Sequence, residues 1–275
     1  SMQVYRDLKI ITSRPTLKDQ SNIKHHLFGH KLGKVRYNVY DWCLECEKKI
    51  KEISGKKKYP IIVGGTGLYF LTLLNGISNI PSIPESIKIE SNKNFDKLGI
   101  KKFSEKIKKI DKTSYNKINV NDSQRLKRIW EVFVYTGLTL TEWNQKKQNK
   151  FIDDYDYNFI LIIPDREKIY EKCNSRFLEM VDKGAIGEVK KLIKKKYNSS
   201  LPIMKAHGVP EIINYLLGRS SLEDAIKKSQ KITRNYAKRQ LTWWRGSKIQ
   251  PSHLFNDFPR KSDINAIKFL KKYTN

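Results

Sequence analysis

The chain has 275 residues, 39% of them hydrophobic, enough for a packed core in one large domain or two smaller ones. Fifty-five Lys and Arg against 28 Asp and Glu leave a formal charge of +27, which points to a polyanionic partner, nucleic acid or an anionic membrane surface; AT-rich coding would by itself account for part of the lysine. There is no run of about 18 apolar residues for a bilayer span, SMQVYRDLKI lacks an apolar signal core, and three cysteines make no disulfide scaffold, so a reducing, cytoplasmic setting is expected.

Residues 1–38 have little periodicity and read as an exposed working loop. A helix is predicted from Asp41 to Ile53, stopped by Gly55, with Cys43, Cys46, Ile50 and Ile53 on one face. That face makes the C-x-x-C pair buried thiols rather than a metal or redox motif. YPIIV (59–63) reads as a short apolar strand, followed by the turn Gly64-Gly65-Thr66-Gly67 and a helix to Leu74. Pro81 and Pro84 mark a linker. Residues 85–150 read as an all-helical, basic insertion between two parts of an α/β core, 1–84 and 151–275. Within it Asn121-Asp122 caps a helix whose stripe is Leu126, Ile129, Trp130, Phe133 and Val134, ended by Gly137. YNFILII (157–163) returns to a buried strand, and Pro164-Asp165 opens a helix with Ile169, Cys173, Phe177 and Met180 inward. An amphipathic helix over 184–197 follows, then a loop from Pro202 to Pro210, and a helix PEIINYLL framed by Pro210 and Gly218. Ser221-x-x-Asp224 caps a last helix that runs to Gly246.

Four features could carry chemistry. The Gly-rich turn stands where open α/β sheets bind ligands, and its glycines allow either a close backbone approach or a tight connection only. Arg125, Lys127 and Arg128 crowd the first turns of a helix, where cations oppose the dipole, so the face is either solvated or meets an anion. Lys227, Lys231, Arg234, Lys238 and Arg245 line one side of the last helix. Trp243 and Trp244 stand at its end, and two tandem tryptophans cannot easily share one core face, so at least one is expected to meet a partner or another domain. Arg166 and Arg176 could close over a diphosphate or form ordinary surface ion pairs. No G-x-x-x-x-G-K-[ST], G-x-S-x-G or H-E-x-x-H occurs in the sequence.

Five blocks in order carry a resemblance that spans nearly the whole chain: SMQVYRDLKIITSRPT, HHL (25–27), VGGTGLY (63–69), NDSQRLKRIWEV (121–132) and TRNYAKRQLTWWR (233–245). Together they resemble the bacterial tRNA dimethylallyltransferases. The resemblance implies a P-loop NTPase-like, nucleotide-binding α/β core with a parallel sheet and an inserted helical domain. It implies transfer of a dimethylallyl group from dimethylallyl diphosphate to the exocyclic amine of the adenosine 3′ to the anticodon in the tRNA anticodon stem-loop, assisted by Mg2+, by a monomer. The target base is flipped out of its stack.

The site residues implied by the resemblance follow position by position. Ser1, Met2 and Gln3 match the loop that grips the adenosine, and Thr66 matches the turn threonine beside it. Arg176 matches an arginine on the donor diphosphate. Lys88, Gln124, Arg125, Leu126, Lys127 and Arg128 match tRNA-contacting positions. So does the loop Lys205, Ala206, His207, Gly208, Val209 and Pro210, with Val209 where the family has Tyr. The family's first strand, its P-loop and the aspartate proposed as general base precede the Ser1 position and are not in the sequence. A truncated chain with weak or no transfer activity is therefore expected, and the alternative is a catalytically inactive tRNA-binding relative. A relative acting on free adenine nucleotides would not need the basic helices. A nucleotide kinase on the same core would have no use for QRLKR or TWWR.

Overall fold

The computed structural model describes residues 1–146, 148, 150–260, 268 and 271. It is mostly helical: α1 Val39–Ser54, α2 Gly67–Asn75, α3 Glu85–Ile110, α4 Lys112–Tyr115, α5 Ser123–Thr136 and α6 Leu140–Gln145 precede β1, Ile160–Ile162. Then come α7 Arg166–Asp182, α8 Ala185–Lys194, α9 Val209–Leu216, α10 Leu222–Arg245 and β2 His253–Phe255. β1 and β2 pair in parallel, Ile160 opposite His253 and Ile162 opposite Phe255, which gives a mixed α/β arrangement with a small parallel sheet. The strand expected at Tyr59–Val63 is not one among the described residues. An apolar run supplies no ladder by itself, because a strand exists only where a neighbour pairs its backbone. Ile61 and Val63 are accordingly 71% and 81% exposed.

Two compact units make up the chain, one of Ser1–Phe70 with Asp154–Asn275, the other of Leu71–Asp153. The second begins earlier than the 85 read from sequence and ends later than 150. The Pro81–Pro84 stretch is packed rather than a linker: Ser78 donates to Asn144 Oδ1 at 2.9 Å, and Ile83 is buried. Phe151 and Ile152 are buried as well. In this unit α3 and α5 enclose Phe103, Ile107, Leu126, Ile129 and Trp130. α5 begins and ends where its sequence says. The Asp122 carboxylate accepts from the Arg125 N–H at 3.1 Å, and Gly137, at φ +71°, donates back to Phe133.

The first unit's core joins Val4, Tyr5, Leu8 and Ile11 to Phe177, Met180, Val189, Leu192, Ile203, Val209 and Ile212. The N-terminal segment is thus not the exposed loop its irregular pattern suggested. It lacks periodicity because tertiary hydrogen bonds hold it. Glu188 on α8 accepts from the N–H groups of Lys9, Ile10 and Ile11 at 2.6–3.1 Å. Arg14 donates to the Tyr5 carbonyl at 3.1 Å, and its guanidinium fills the space a Cβ on Gly29 would need. In α1, Cys43 and Cys46 are buried as expected, and burial pushes both thiols up to about 12.

Asp7 fastens this segment to two others. Its carboxylate accepts from Gly33 N–H at 2.9 Å and Tyr197 OH at 3.1 Å, and pairs with Lys195 at 3.1 Å, its side chain only 8% exposed. Burial acts to raise its pKa, but the bonds from Gly33, Lys195 and Tyr197 outweigh this and hold it below the ordinary value. Hydrogen bonds to a charged group contribute about 1.5–3 kcal/mol, so Asp7→Asn should destabilise by about that much in denaturant unfolding at pH 7. A depressed pKa stabilises above the unfolded-state value of about 3.9, and that stability is lost as pH falls through the folded pKa. The gap between the parent chain and the Asp7→Asn variant should therefore be full at neutral pH and close in acid.

Candidate functional site

The turn Gly64–Gly67 joins an apolar segment to α2, and α10 lies against it. A Cβ on Gly67 would fall 2.1 Å from the Trp243 ring, and one on Gly65 would fall 2.6 Å from Gln240 Nε2. Trp244 Nε1 donates to the Gly65 carbonyl at 3.3 Å, and Thr66 Oγ1 shares a hydrogen bond with Tyr236 OH at 3.1 Å. None of the three turn glycines has a positive φ. Gly65 and Gly67 are small because a helix is close, not because the backbone bends where a side chain is forbidden. The tandem tryptophans behave unexpectedly for the same reason. Both find partners within this unit, Trp243 on Gly67 and Trp244 among Phe70 and Phe159, with centroids 5.9 and 5.3 Å away.

Three segments named from sequence meet in this unit. Gln3 donates its side-chain amide to the carbonyls of Thr12 and Ser13 at 3.0 and 2.7 Å, which fixes the side chain against its own segment. Met2 packs on the core and Ser1 is exposed. In the loop 205–210, Gly208 stands at φ +92° with the Phe177 ring and Ile11 Cδ1 within 3.0 Å of where a Cβ would be. His207 meets Tyr236 edge-on, centroids 4.9 Å apart. Burial, aided by Arg239, lowers the His207 pKa, so its imidazole is neutral at pH 7. Burial, and then Tyr5, Cys43 and Tyr236, raise the pKa of the Tyr69 phenol, whose ring meets Trp42 edge-on with centroids 5.1 Å apart.

Not every residue singled out reaches the surface. Ala206, Val209 and Leu126 are buried in apolar cores, so their side chains hold the backbone of a contact surface and cannot themselves touch RNA. Lys205 is exposed, and Pro210 lies in the first turn of α9. In the second unit Gln124, Arg125 and Arg128 are exposed. Arg125 pairs with Asp122 at 3.3 Å, and Lys127 bonds Asn92 and lies over the Phe95 ring. Lys88 is held loosely by Glu85 at 3.4 Å.

Arg176, on α7, is exposed and pairs with no carboxylate among the described residues. Arg166, ten residues earlier on the same helix, donates from Nε to Tyr170 OH at 3.0 Å. Arg234 of α10 donates to Asn174 Oδ1 at 2.6 Å, and burial raises the Cys173 thiol while Arg176 and Arg234 pull it back. Sequence reading missed Tyr236, Gln240 and Glu188 as site-forming residues. The signal was the helical spacing of Tyr236, Gln240 and Trp243, which places them on one face of α10. Among the described residues no group of three or more His, Cys, Asp or Glu could hold a metal ion, and the turn's own neighbours are hydroxyl, amide and aromatic.

Gly67→Ala should drive a methyl into Trp243 and lower stability by about 1–3 kcal/mol, as overpacking does. Trp243→Leu in the same chain should recover part of that loss. Thermal unfolding of the single and double variants checks both outcomes.

The IPP transferase family model matches residues 3–247. The tRNA dimethylallyltransferase of Wolbachia pipientis wMel is 39% identical over 266 residues, covering 97% of this chain and 84% of that protein. The tRNA dimethylallyltransferase of Pelagibacter ubique is 41% identical over 245 residues, covering 89% and 78%. Among solved structures, the tRNA delta(2)-isopentenylpyrophosphate transferase of Staphylococcus epidermidis superposes with a TM-score of 0.66 at 29% identity, covering 100% of this chain and 89% of the other. A eukaryotic dimethylallyltransferase acting on tRNA gives a TM-score of 0.78 at 27% identity, covering 98% and 69%. With a family model over most of its length, and relatives of this identity and coverage, the chain belongs to the IPP transferase family.

Proposed function

We propose that this chain transfers a dimethylallyl group from dimethylallyl diphosphate to the exocyclic amine of the adenosine 3′ to the anticodon of tRNA, acting as a cytoplasmic monomer. The observation that carries the reading is the meeting of the turn at Thr66 and the loop 205–210 at Tyr236, with Ile11 of the segment 1–14 against Gly208, in a chain of this family with a charge of +27. In the reaction the amine nitrogen attacks the allylic carbon, the carbon–oxygen bond to the diphosphate breaks, and a base takes the amine proton. Negative charge builds on the leaving diphosphate, so an exposed guanidinium without a carboxylate partner, as Arg176 is among the described residues, suits it. Magnesium enters this reading only as the ion that accompanies the diphosphate.

The acceptor side falls to Ser1, Met2, Gln3 and Thr66. Gln3 offers a fixed carbonyl oxygen, and an adenine edge presents an amine that donates to such an oxygen. Lys88, Gln124, Arg125, Lys127 and Arg128 of one unit and Lys205 and His207 of the other supply cations and polar groups for the phosphates and bases. Binding of this kind releases counterions, so tRNA affinity should fall steeply with salt.

Incubating the protein with dimethylallyl diphosphate, Mg2+ and unmodified tRNA should add a dimethylallyl unit at that adenosine, read by mass spectrometry of the digested nucleosides, and the turnover measured there decides whether the weak activity expected from the sequence holds. Modification of free AMP in preference to tRNA would overturn the reading; salt-sensitive tRNA binding with no transfer would favour a binding relative. Thr66→Ala should weaken tRNA use, by about 0.5–1.5 kcal/mol or a few-fold in kcat/KM for tRNA, more than it weakens donor binding. A larger effect on the donor would move the turn to the diphosphate side.

A further inference from the structure

The closest contact between the turn and α10 that involves a reactive-type group is the pair Thr66 Oγ1 and Tyr236 OH, 3.1 Å apart. Both residues are half-buried, and Tyr236 is held from two further sides. The His207 ring meets it edge-on, centroids 4.9 Å apart at 74°, and the Arg239 guanidinium lies 5.7 Å from its ring centre. One turn further along, Gln240 packs against Gly65, and Trp243 against Gly67. The phenol is therefore fixed by ring packing before any ligand arrives, whereas the Thr66 hydroxyl is a free rotor on a short side chain.

A phenol is the more acidic of the two hydroxyls and the better donor. When Tyr236 donates to Thr66 Oγ1, the Thr66 proton is left to point away from α10. We infer that Tyr236 is a positioning residue that orients the Thr66 hydroxyl toward the acceptor nucleoside and ties the turn to the His207 loop, so that the two segments present one surface. Tyr236 acts through Thr66 and need not touch the tRNA. This inference rests on the assignment of the turn to the acceptor side.

The test uses the full chain and two anticodon stem-loops, one with adenosine at the acceptor position and one abasic there. The readouts are the ratio of their dissociation constants and kcat/KM for tRNA. Tyr236→Phe keeps the ring and its contacts with His207 and Arg239 and removes only the hydroxyl. It should reduce the adenosine-over-abasic preference about fivefold, with a melting temperature lowered by no more than the few degrees that one lost hydrogen bond gives. In a Thr66→Val background, Tyr236→Phe should change the preference by less than about twofold, while in a Thr66→Ser background its effect should persist, because only the second keeps the hydroxyl through which it acts. Equal effects of Tyr236→Phe in both backgrounds, or none in the parent, would overturn the inference alone. An unaltered preference in Thr66→Val would overturn the acceptor assignment itself, and the inference with it.

Discussion

Close packing of one helix on two glycines governs the first unit. α10 can reach the turn only because Gly65 and Gly67 offer no Cβ, and once there it supplies an amide, two indoles and a phenol to three consecutive residues. The turn then has little freedom of its own. Its backbone is set by the Trp244 hydrogen bond, and its single hydroxyl by Tyr236. Sites held by rigid elements keep their geometry better than sites left to loops, and here a 24-residue helix does the holding. The N-terminal segment follows the same rule by other means, with Glu188 and Asp7 as anions that gather backbone N–H groups from irregular chain.

Much of the helical scaffold was legible because its signals are local. The Asp122 cap and Gly137 stop of α5, the Ser221 cap of α10 and the buried face of α1 each depend on residues a few positions apart. What escaped the sequence depends on distant partners. Tyr59–Val63 has the residue types of a strand but no neighbour to pair with among the described residues. Residues 9–11 look irregular because their backbone N–H groups bond to Glu188, more than 170 residues away. The turn glycines were read as room for a ligand or as a tight connection, whereas Gly65 and Gly67 make room for α10, since nothing near them in sequence shows that Trp243 and Gln240 lie against them.

The same distinction holds within the candidate site. A set of residues matched by position treats Leu126, Ala206 and Val209 like their neighbours, yet burial gives them a different task. Leu126 locks α5 to α3 and so fixes the direction in which Gln124, Arg125 and Arg128 project. Val209 and Ala206 do the same for His207 and Lys205. A contact surface is specified as much by the apolar residue that anchors it as by the cation that makes the contact.

The exposed segment Tyr59–Val63 has a colloidal consequence. Ile61 and Val63, with Ile160 and Ile162 of β1, turn apolar side chains to water, the kind of surface that adheres to another copy. What opposes that adhesion is the mutual repulsion of molecules carrying +27. Salt shortens the range of this repulsion to about 10 Å at 0.1 M and about 3 Å at 1 M. The charge that attracts a polyanion therefore also keeps the protein dispersed, and conditions that strip nucleic acid from it are those under which its apolar edge is least protected.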